Sequence, residues 1–202
     1  MRVLVPFGAR DPKSRLAPVF SPRERRALAE TMLADVLAAL SDHEPVVVAN
    51  APVETPVPTH VDDRPLTAAV NARLTGEPTA IVMADLPLIS SETISRLLAP
   101  DSDVVIAPGL GGGTNALVVR DLAFETDYHG VSIRDHRETA RAIGATVATV
   151  DSYRLGIDVD EPADLVEVLL HGTGDTAQWL REHDGWIETT DGRTRFRRES
   201  SG

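Results

Sequence analysis

The chain contains no cysteine, and only one of its 20 basic residues is a lysine; the other 19 are arginines. The absence of cysteine excludes disulfide bonds and thiolate chemistry. No apolar run approaches the ~20 residues needed to cross a bilayer, so we expect no membrane-spanning helix. The net charge of −11 also argues against nucleic-acid or membrane-surface binding, because both require a basic face.

Aromatic residues make up only 4% of the chain, whereas aliphatic residues are plentiful. This balance favours a buried sheet covered by helices, and 202 residues are enough for one domain with a full core. An acidic surface with almost no lysine is typical of proteins that work in concentrated salt. There the Debye length falls to roughly 3 Å, and surface carboxylates repel one another less. We therefore expect a halophilic cytoplasm. We also expect no signal peptide, since the chain opens directly on a strand pattern.

Short apolar runs alternate with amphipathic stretches along most of the chain, which predicts an α/β fold: a single-domain, Rossmann-like, mainly parallel and doubly wound sheet flanked by helices. The predicted strands cover 2–6, 45–49, 79–84, 103–107, 116–120 and 145–150, and the predicted helices cover 22–40, 66–75, 91–99, 133–143 and 161–170. Ser21 is the expected N-cap of the first helix, with Pro22 at its first position. Ligands of such sheets bind beyond the carboxyl ends of the strands.

The alternating pattern stops at His171, so we divide the chain into a domain over 1–170 and a polar C-terminal extension over 171–202. Two tryptophans at 179 and 186, each followed by an aliphatic residue, could dock a short helix or hairpin onto the domain. We expect the last residues to be frayed.

The single lysine, Lys13, lies in the loop Arg10–Leu16, directly after the first predicted strand. Lysine presents a compact point charge to phosphate, whereas arginine presents a flat bidentate fork. Because loops after strands carry sites in α/β folds, Lys13 is a candidate phosphate ligand. The alternative is that one lysine survives by chance in an arginine-biased composition.

Asp85 follows the buried run Ala80–Ala84 and so falls at the carboxyl end of a strand, in the expected ligand crevice. Asp158 and Asp160 would project to the same side if 157–160 is extended. Together with Asp85 they could supply oxygen ligands to Mg²⁺. The alternatives are a turn or cap role for Asp85, and for Asp160 a cap on the helix begun by Glu161-Pro162.

Two further segments could hold anions. The glycine-rich stretch 108–115 leads into a strand, which excludes a Walker loop and a dinucleotide fingerprint, but its backbone N–H groups could approach an anion. It could equally be a flexible hairpin connection. Tyr128–Ser132 precedes a helix, where Ser132 is a good N-cap and the helix N-terminus could take phosphate or carboxylate. The histidines at 43, 60, 171 and 183 lack metal-ligand spacing.

No Gly-x-Ser-x-Gly elbow is present, and the basic loop, the carboxylates and the glycine-rich connections together favour metal-assisted nucleotidyl transfer. Taken in order, these pieces closely resemble the 2-phospho-L-lactate guanylyltransferases of coenzyme F-420 biosynthesis. The segments that carry the resemblance are Pro12–Leu16, Ala84–Pro87, Gly113–Leu117, Ser132 with His136, and Asp158–Asp160 followed by Pro162 and Asp164-Leu165.

The resemblance covers about residues 1–170 and implies a GT-A-like, molybdopterin-guanylyltransferase-like fold, often dimeric. It implies that the phosphate of 2-phospho-L-lactate attacks the α-phosphorus of GTP, forming lactyl-2-diphospho-5′-guanosine and releasing pyrophosphate. The implied site residues fall into three groups: Lys13 and Arg15 at the GTP phosphates; Asp85, Asp160 and Asp158 at Mg²⁺; and Thr114, His129 through its backbone, Gly130 and Ser132 at the phosphorylated acid.

The chain departs from the family pattern at three places. Gly8 stands where many relatives carry lysine, Leu66-Thr67 stands where Leu-Asn is common, and His129 stands where bacterial members often have glycine. Those bacterial members can use phosphoenolpyruvate or 3-phosphoglycerate, so the acceptor acid stays open. The remaining alternatives are a transferase acting on a sugar phosphate or molybdopterin, and a nucleotide-sensing domain without turnover.

Overall fold

The computed structural model describes residues 1–199, in which strands and α-helices largely alternate up to β7. The strands are β1 (Arg2–Phe7), β2 (Val46–Ala49), β3 (Thr59–Val61), β4 (Thr79–Val82), β5 (Val104–Pro108), β6 (Thr114–Val119), β7 (Val147–Thr149), β8 (Gly185–Thr190) and β9 (Arg193–Arg198). The helices are α1 (Pro22–Ala39), α2 (Leu66–Asn71), α3 (Ser91–Leu98), α4 (Ser132–Ala142), α5 (Tyr153–Gly156), α6 (Asp164–His171) and α7 (Asp175–Glu182). Within this part of the chain, no helix is long and apolar enough to cross a membrane.

Seven strands form one sheet in the order β3-β2-β1-β4-β6-β5-β7, and β8 and β9 form a separate hairpin. β1 pairs in parallel with β2 and β4, β2 with β3, and β5 with β7. Only β6 runs against its neighbours β4 and β5. The predicted mainly parallel α/β sheet is therefore confirmed, and it places the carboxyl ends of β1, β2 and β4 at one edge.

Burial explains why these runs form strands and helices. β4 is buried along its whole length, as expected for a central strand covered on both faces. α1 begins as predicted: the Ser21 hydroxyl accepts the Glu24 N–H, and the Glu24 carboxylate accepts the Ser21 N–H, which completes a capping box.

Helices cover both faces of the sheet. The larger core joins one face to α1, α3, α6 and α7 through residues such as Val5, Met32 and Ile94. The smaller core on the other face joins Ile106 and Leu117 to Ala140 of α4. This three-layer arrangement follows from the near-continuous apolar runs of the inner strands.

The segment after residue 170 is ordered through β9. Leu180 of α7 and Phe196 of β9 are buried in the larger core, and the Arg198 guanidinium donates to the Val19 carbonyl and the Glu24 carboxylate near α1. The sequence predicted a short helix or a hairpin here, and the structure contains both: α7, and the hairpin of β8 and β9. The domain boundary at 170 stays a prediction, and the predicted fraying at 200–202 lies outside the described residues.

Several predicted elements differ in their bounds, among them three helices. α2 ends at Asn71 and not at 75, and α6 begins at Asp164 and not at 161. Ser132 is the first residue of α4 and not its N-cap, which is Val131 and makes no side-chain hydrogen bond. In both α4 and α6, the side chain expected to cap the helix makes tertiary contacts described below.

Candidate active site

A cleft of about 740 Å³ opens at the carboxyl ends of β1, β2 and β4. This is the edge at which a doubly wound sheet binds ligands. Its lining residues include Gly8, Arg10, Lys13, Arg15, Asn50, Asp62, Asp63, Arg64, Leu66, Ala69, Met83, Asp85 and Asp160. Four of the predicted site residues, Lys13, Arg15, Asp85 and Asp160, therefore share one cavity.

Lys13 is the centre of this group. Its Nζ donates to Asp85 Oδ2 at 2.6 Å and to Asp160 Oδ1 at 2.9 Å, and its side chain is only 11% exposed. Arg15 donates to the other oxygen of Asp160 at 3.0 Å. Burial would lower the pKa of the Lys13 ammonium, but the negative charges of Asp85 and Asp160 outweigh burial, and the pKa is raised above its ordinary value. Lys13 is therefore a charged cation in the cleft at neutral pH.

The loop that carries Lys13 has an unusual backbone. Asp11 and Lys13 both adopt positive φ, at 41° and 54°, which is uncommon for residues other than glycine and costs energy. Two side chains, those of Arg25 and Asn50, hold the loop in this shape. Arg25 of α1 donates to the Pro12 carbonyl at 3.2 Å and to Asp11 Oδ1 at 3.0 Å, and Asn50 Oδ1 accepts the backbone N–H groups of the residues at 9 and 10.

Arg25 and Asn50 are the site residues that sequence reasoning missed. Arg25 precedes Leu28, Ala29 and Met32 at helical spacing, so an arginine on the buried face of α1 is the signal that could have found it. An arginine that is only 6% exposed needs a partner, and here the partner is the lysine loop.

Asp158 lies beside this group and is held by Asn115, whose Nδ2 donates to Asp158 Oδ1 at 3.0 Å and to the Leu155 carbonyl at 2.9 Å. Burial raises the pKa of the Asp158 carboxyl, and the nearby charges of Asp85 and Asp160 raise it further. The three predicted metal ligands therefore lie close enough to feel one another's charge.

No three or more His, Asp or Glu side chains among residues 1–199 are already placed to hold a metal ion. Instead, the Lys13 ammonium lies between two of the carboxylates. The donor set still fits Mg²⁺, since that ion is usually held by one or two carboxylates and completed by substrate phosphates. The second carboxylate oxygens of these residues, Asp85 Oδ1 and Asp158 Oδ2, accept no hydrogen bond from another side chain of residues 1–199.

Asp160 does not cap a helix. Its carboxylate is held by Lys13 and Arg15, and its backbone N–H donates to Asp164 Oδ2, which also accepts the Glu161 N–H. Asp164 satisfies the free N–H groups before α6. The alternative that the Asp160 side chain caps this helix is therefore wrong, and the Asp160 carboxylate faces Lys13.

A β-bulge sets the direction of the Thr114 and Asn115 side chains. The pairing of β5 with β6 shifts register between Ala107 and Pro108, so that Pro108 lies opposite Thr114. Such a bulge breaks the alternation of side chains and re-aims them. Asn115 consequently reaches Asp158 beside the cleft, whereas Thr114 reaches α4 on the other face.

Thr114 belongs to a second polar cluster, which also contains Ser132 and His136. Thr114 Oγ1 lies 2.9 Å from His136 Nδ1 and accepts the Ser132 hydroxyl at 3.3 Å. These three residues are buried, with His136 at 0% exposure. The Ser132 hydroxyl, which was expected to cap α4, donates to Thr114 instead.

His129 and Gly130 lie at the exposed edge of this cluster. The His129 N–H and its imidazole both contact Asp127 Oδ1, at 3.1 and 2.6 Å, so a substrate bound through this N–H must replace Asp127. Gly130 has a φ of 54°, which favours glycine at that turn. The roles predicted for Thr114, His129, Gly130 and Ser132 stay predictions.

Comparison with solved structures supports the fold. A protein of Desulfovibrio desulfuricans G20 described as a nucleotide-diphospho-sugar transferase aligns with a TM-score of 0.74 over 91% of this chain and 96% of its own, at 17% identity. The 2-C-methyl-D-erythritol 4-phosphate cytidylyltransferase of Thermus thermophilus aligns with a TM-score of 0.54 over 83% and 96%, at 20% identity. At these identities the likeness concerns the fold alone.

Sequence comparison is more specific. Proteins named 2-phospho-L-lactate guanylyltransferase from Haloarcula marismortui and Halomicrobium mukohataei are 54% and 55% identical to this chain, covering 98% of it and all of their own length. The profile of the family described as "Guanylyl transferase CofC like" matches residues 1–198, which extends the resemblance beyond residue 170. The chain belongs to the CofC-like guanylyl transferase family.

Proposed function

We propose that this protein transfers GMP from GTP to 2-phospho-L-lactate in coenzyme F-420 biosynthesis. An oxygen of the acceptor phosphate attacks the α-phosphorus of GTP, and the bond from that phosphorus to the bridging β-phosphate oxygen breaks. Pyrophosphate leaves with the bonding electron pair, and lactyl-2-diphospho-5′-guanosine forms. The attacking phosphate is already anionic, so the reaction needs no general base.

The observation that carries this proposal is the largely buried Lys13 ammonium between Asp85 and Asp160, at the strand edge where doubly wound sheets bind their ligands. Two anions must approach each other in this reaction, and charge accumulates on the leaving pyrophosphate. A fixed cation that needs no reorganisation reduces both costs. Arg15, which is 67% exposed, can swing between Asp160 and a phosphate.

We place GTP in the cleft that Lys13 lines. Pro6, Val48 and Ala69 supply apolar wall on which a base can lie, and Arg10 and Lys13 supply positive charge for the phosphates. Gly8 leaves open space where many relatives have a lysine, since a Cβ there would meet nothing within 4 Å. Arg10 is the cation best placed along the chain to replace that lysine.

Mg²⁺ would be held by Asp85 and Asp160, with Asp158 as a further carboxylate. When bound, the ion would neutralise charge on the triphosphate and on the leaving group. The chain's own residues orient these ligands: Lys13 and Arg15 fix Asp160, and Asn115 fixes Asp158. Asp85 is fixed by Lys13 at its carboxylate and by the Val159 N–H at its carbonyl.

The acceptor acid would bind at Thr114, Gly130, Ser132 and the backbone of His129. Thr114 and Asn115 are neighbours in the chain, and Asn115 contacts Asp158, so the bulge in β6 links the acceptor cluster to the carboxylates. Hydroxyl and backbone N–H donors are suited to a phosphate or carboxylate oxygen.

We also expect a homodimer, as the family resemblance implies, working in a salt-rich cytoplasm. The acidic composition and the haloarchaeal origin of the named relatives support the second expectation. Light scattering at high KCl concentration tests the oligomeric state: a mass of one chain, 21.7 kDa, would contradict the dimer.

The test of the reaction is pyrophosphate release in concentrated KCl with Mg²⁺ and GTP, with 2-phospho-L-lactate, phosphoenolpyruvate, 3-phosphoglycerate or no acceptor. Release that depends on GTP and on 2-phospho-L-lactate supports the proposal. Release only with another acid would reassign the acceptor. A folded protein that binds GTP and releases no pyrophosphate with any acid would favour a nucleotide-sensing domain, and ATP, CTP and UTP are the matched controls for the base.

A further inference from the structure

We propose that His136 is a positioning residue for the acceptor acid: it fixes the Thr114 hydroxyl as a pure hydrogen-bond donor toward one of the acid's oxygens. The proposal rests on the acceptor site named above. It assigns a role to a histidine that is fully buried and lies outside the cleft that holds the carboxylates.

The hydrogen bonds of His136 determine which ring nitrogen holds its proton. The backbone N–H of Asp127 donates to His136 Nε2 at 3.0 Å, so Nε2 must present a lone pair. A neutral imidazole with an unprotonated Nε2 carries its proton on Nδ1. Nδ1 therefore donates to Thr114 Oγ1, which lies 2.9 Å away.

The surroundings of His136 keep the ring neutral and fixed. Burial lowers the pKa of the imidazole to about 4, although the charges of Asp127 and Asp135 act in the opposite direction. Tyr128 packs edge-on against the ring with a centroid distance of 5.1 Å, and Phe124 packs at 6.0 Å. The tautomer is thus set by the fold over the neutral pH range.

These contacts determine what the Thr114 hydroxyl can still do. Its Oγ1 accepts from His136 Nδ1 and from the Ser132 hydroxyl, which uses both lone pairs of the oxygen. The one proton of the hydroxyl has no acceptor in the hydrogen bonds of residues 1–199. A hydroxyl whose oxygen already accepts two hydrogen bonds can only donate a further one, so it is complementary to an anion oxygen and repels another donor. The two hydrogen bonds that it accepts also polarise the hydroxyl.

The first test reads the tautomer directly. Long-range ¹H–¹⁵N NMR of the uniformly labelled protein should show His136 protonated on Nδ1 and unprotonated on Nε2 between pH 6 and 8. A proton on Nε2, or an imidazolium in that range, would overturn the proposal, because His136 could then not act as stated.

The second test is a double-mutant cycle on binding of 2-phospho-L-lactate, measured by calorimetry. Thr114→Val removes the hydroxyl and keeps the shape; His136→Leu removes the donor. Each single variant should weaken binding of the acid at least about 10-fold, which is the contribution of one charge-assisted hydrogen bond to the affinity. The double variant should bind no more weakly than Thr114→Val alone, because His136 acts through the hydroxyl.

Two controls separate positioning from packing. His136→Asn keeps a donor near the Nδ1 position and should recover most of the affinity lost in His136→Leu, and GTP affinity should change less than about 3-fold in every variant. Independent, multiplicative losses in the double variant, or equal losses of GTP affinity, would overturn the proposal. An unmodified protein that does not bind the acid would also overturn it, whereas binding without pyrophosphate release would overturn only the proposed reaction.

Discussion

Replacing Lys13 with methionine removes the ammonium and keeps an unbranched side chain in the same loop. The substitution leaves Asp85 and Asp160 without the cation that lies between them at 2.6 and 2.9 Å. We therefore expect Lys13→Met to lower the free energy of unfolding as well as the rate of guanylyl transfer.

The size of the stability loss follows from the contacts. Hydrogen bonds between charged groups contribute roughly 1.5–3 kcal/mol each, but the burial of the ammonium offsets part of this, and Asp85 and Asp160 remain 27% and 42% exposed. We expect a net loss of about 2 kcal/mol, which lowers the Tm of a protein of this size by about 4–8 °C.

The assay is thermal unfolding followed by circular dichroism at fixed KCl concentration, with Arg15→Met as the matched control. Arg15 contacts the same Asp160 but is 67% exposed, so its loss should cost less than about 1 kcal/mol. Equal Tm values for Lys13→Met and the unmodified protein would refute the reasoning.

The pH dependence gives a further check on the same variant. The pKa of Lys13 is raised in the folded state, so its contribution is complete below the ordinary lysine value of about 10.4 and is lost as pH rises through the folded value. The Tm difference between the two proteins should therefore stay constant from pH 7 to 9 and narrow only at higher pH. A difference that narrows between pH 7 and 9 would contradict the charged pair.

Three other predictions concern the site and the surface. Asp85→Asn should lower kcat about 100- to 1,000-fold with an unchanged circular dichroism spectrum, because it removes a carboxylate that would hold Mg²⁺, the ion that would neutralise the charge on the leaving pyrophosphate; near-normal turnover would refute its role. Arg25→Gln should lower kcat about 10-fold or more by releasing the loop that carries Lys13, since small misplacements of a catalytic group are costly; an unchanged kcat would show that the loop keeps its shape alone. Transfer from about 1 M to about 0.01 M KCl should lower the Tm, because the net charge of −11 is then no longer screened; an unchanged Tm would exclude the halophilic interpretation.

Strong periodicity made most of the sheet predictable. Runs such as Val46–Ala49 and Val104–Pro108 are apolar on both sides of the strand, and the Ser21 capping box marks the start of α1. β3 was missed because it has three residues at the edge of the sheet, and its pattern includes the polar His60. The β8–β9 hairpin was left undefined because arginine and threonine alternate along an exposed strand.

The residues of the site were predictable by position, and their connections were not. Lys13, Asp85 and Asp160 could be chosen because each follows an apolar run or a motif that carries the family resemblance. The contact of Thr114 with His136 depends on a register shift between β5 and β6, which no local pattern announces. Arg25 reaches a loop 14 residues away only because α1 folds back over β1.

The most direct test of the proposed reaction is ³¹P NMR of a mixture of the protein, GTP, Mg²⁺ and 2-phospho-L-lactate in concentrated KCl. We expect the triphosphate signals and the phosphomonoester signal to be replaced by pyrophosphate and by two coupled signals of an unsymmetrical diphosphate, at equal rates. Conversion of GTP to GMP with an unchanged phosphomonoester, or no change at all while GTP remains bound, would contradict guanylyl transfer to this acid.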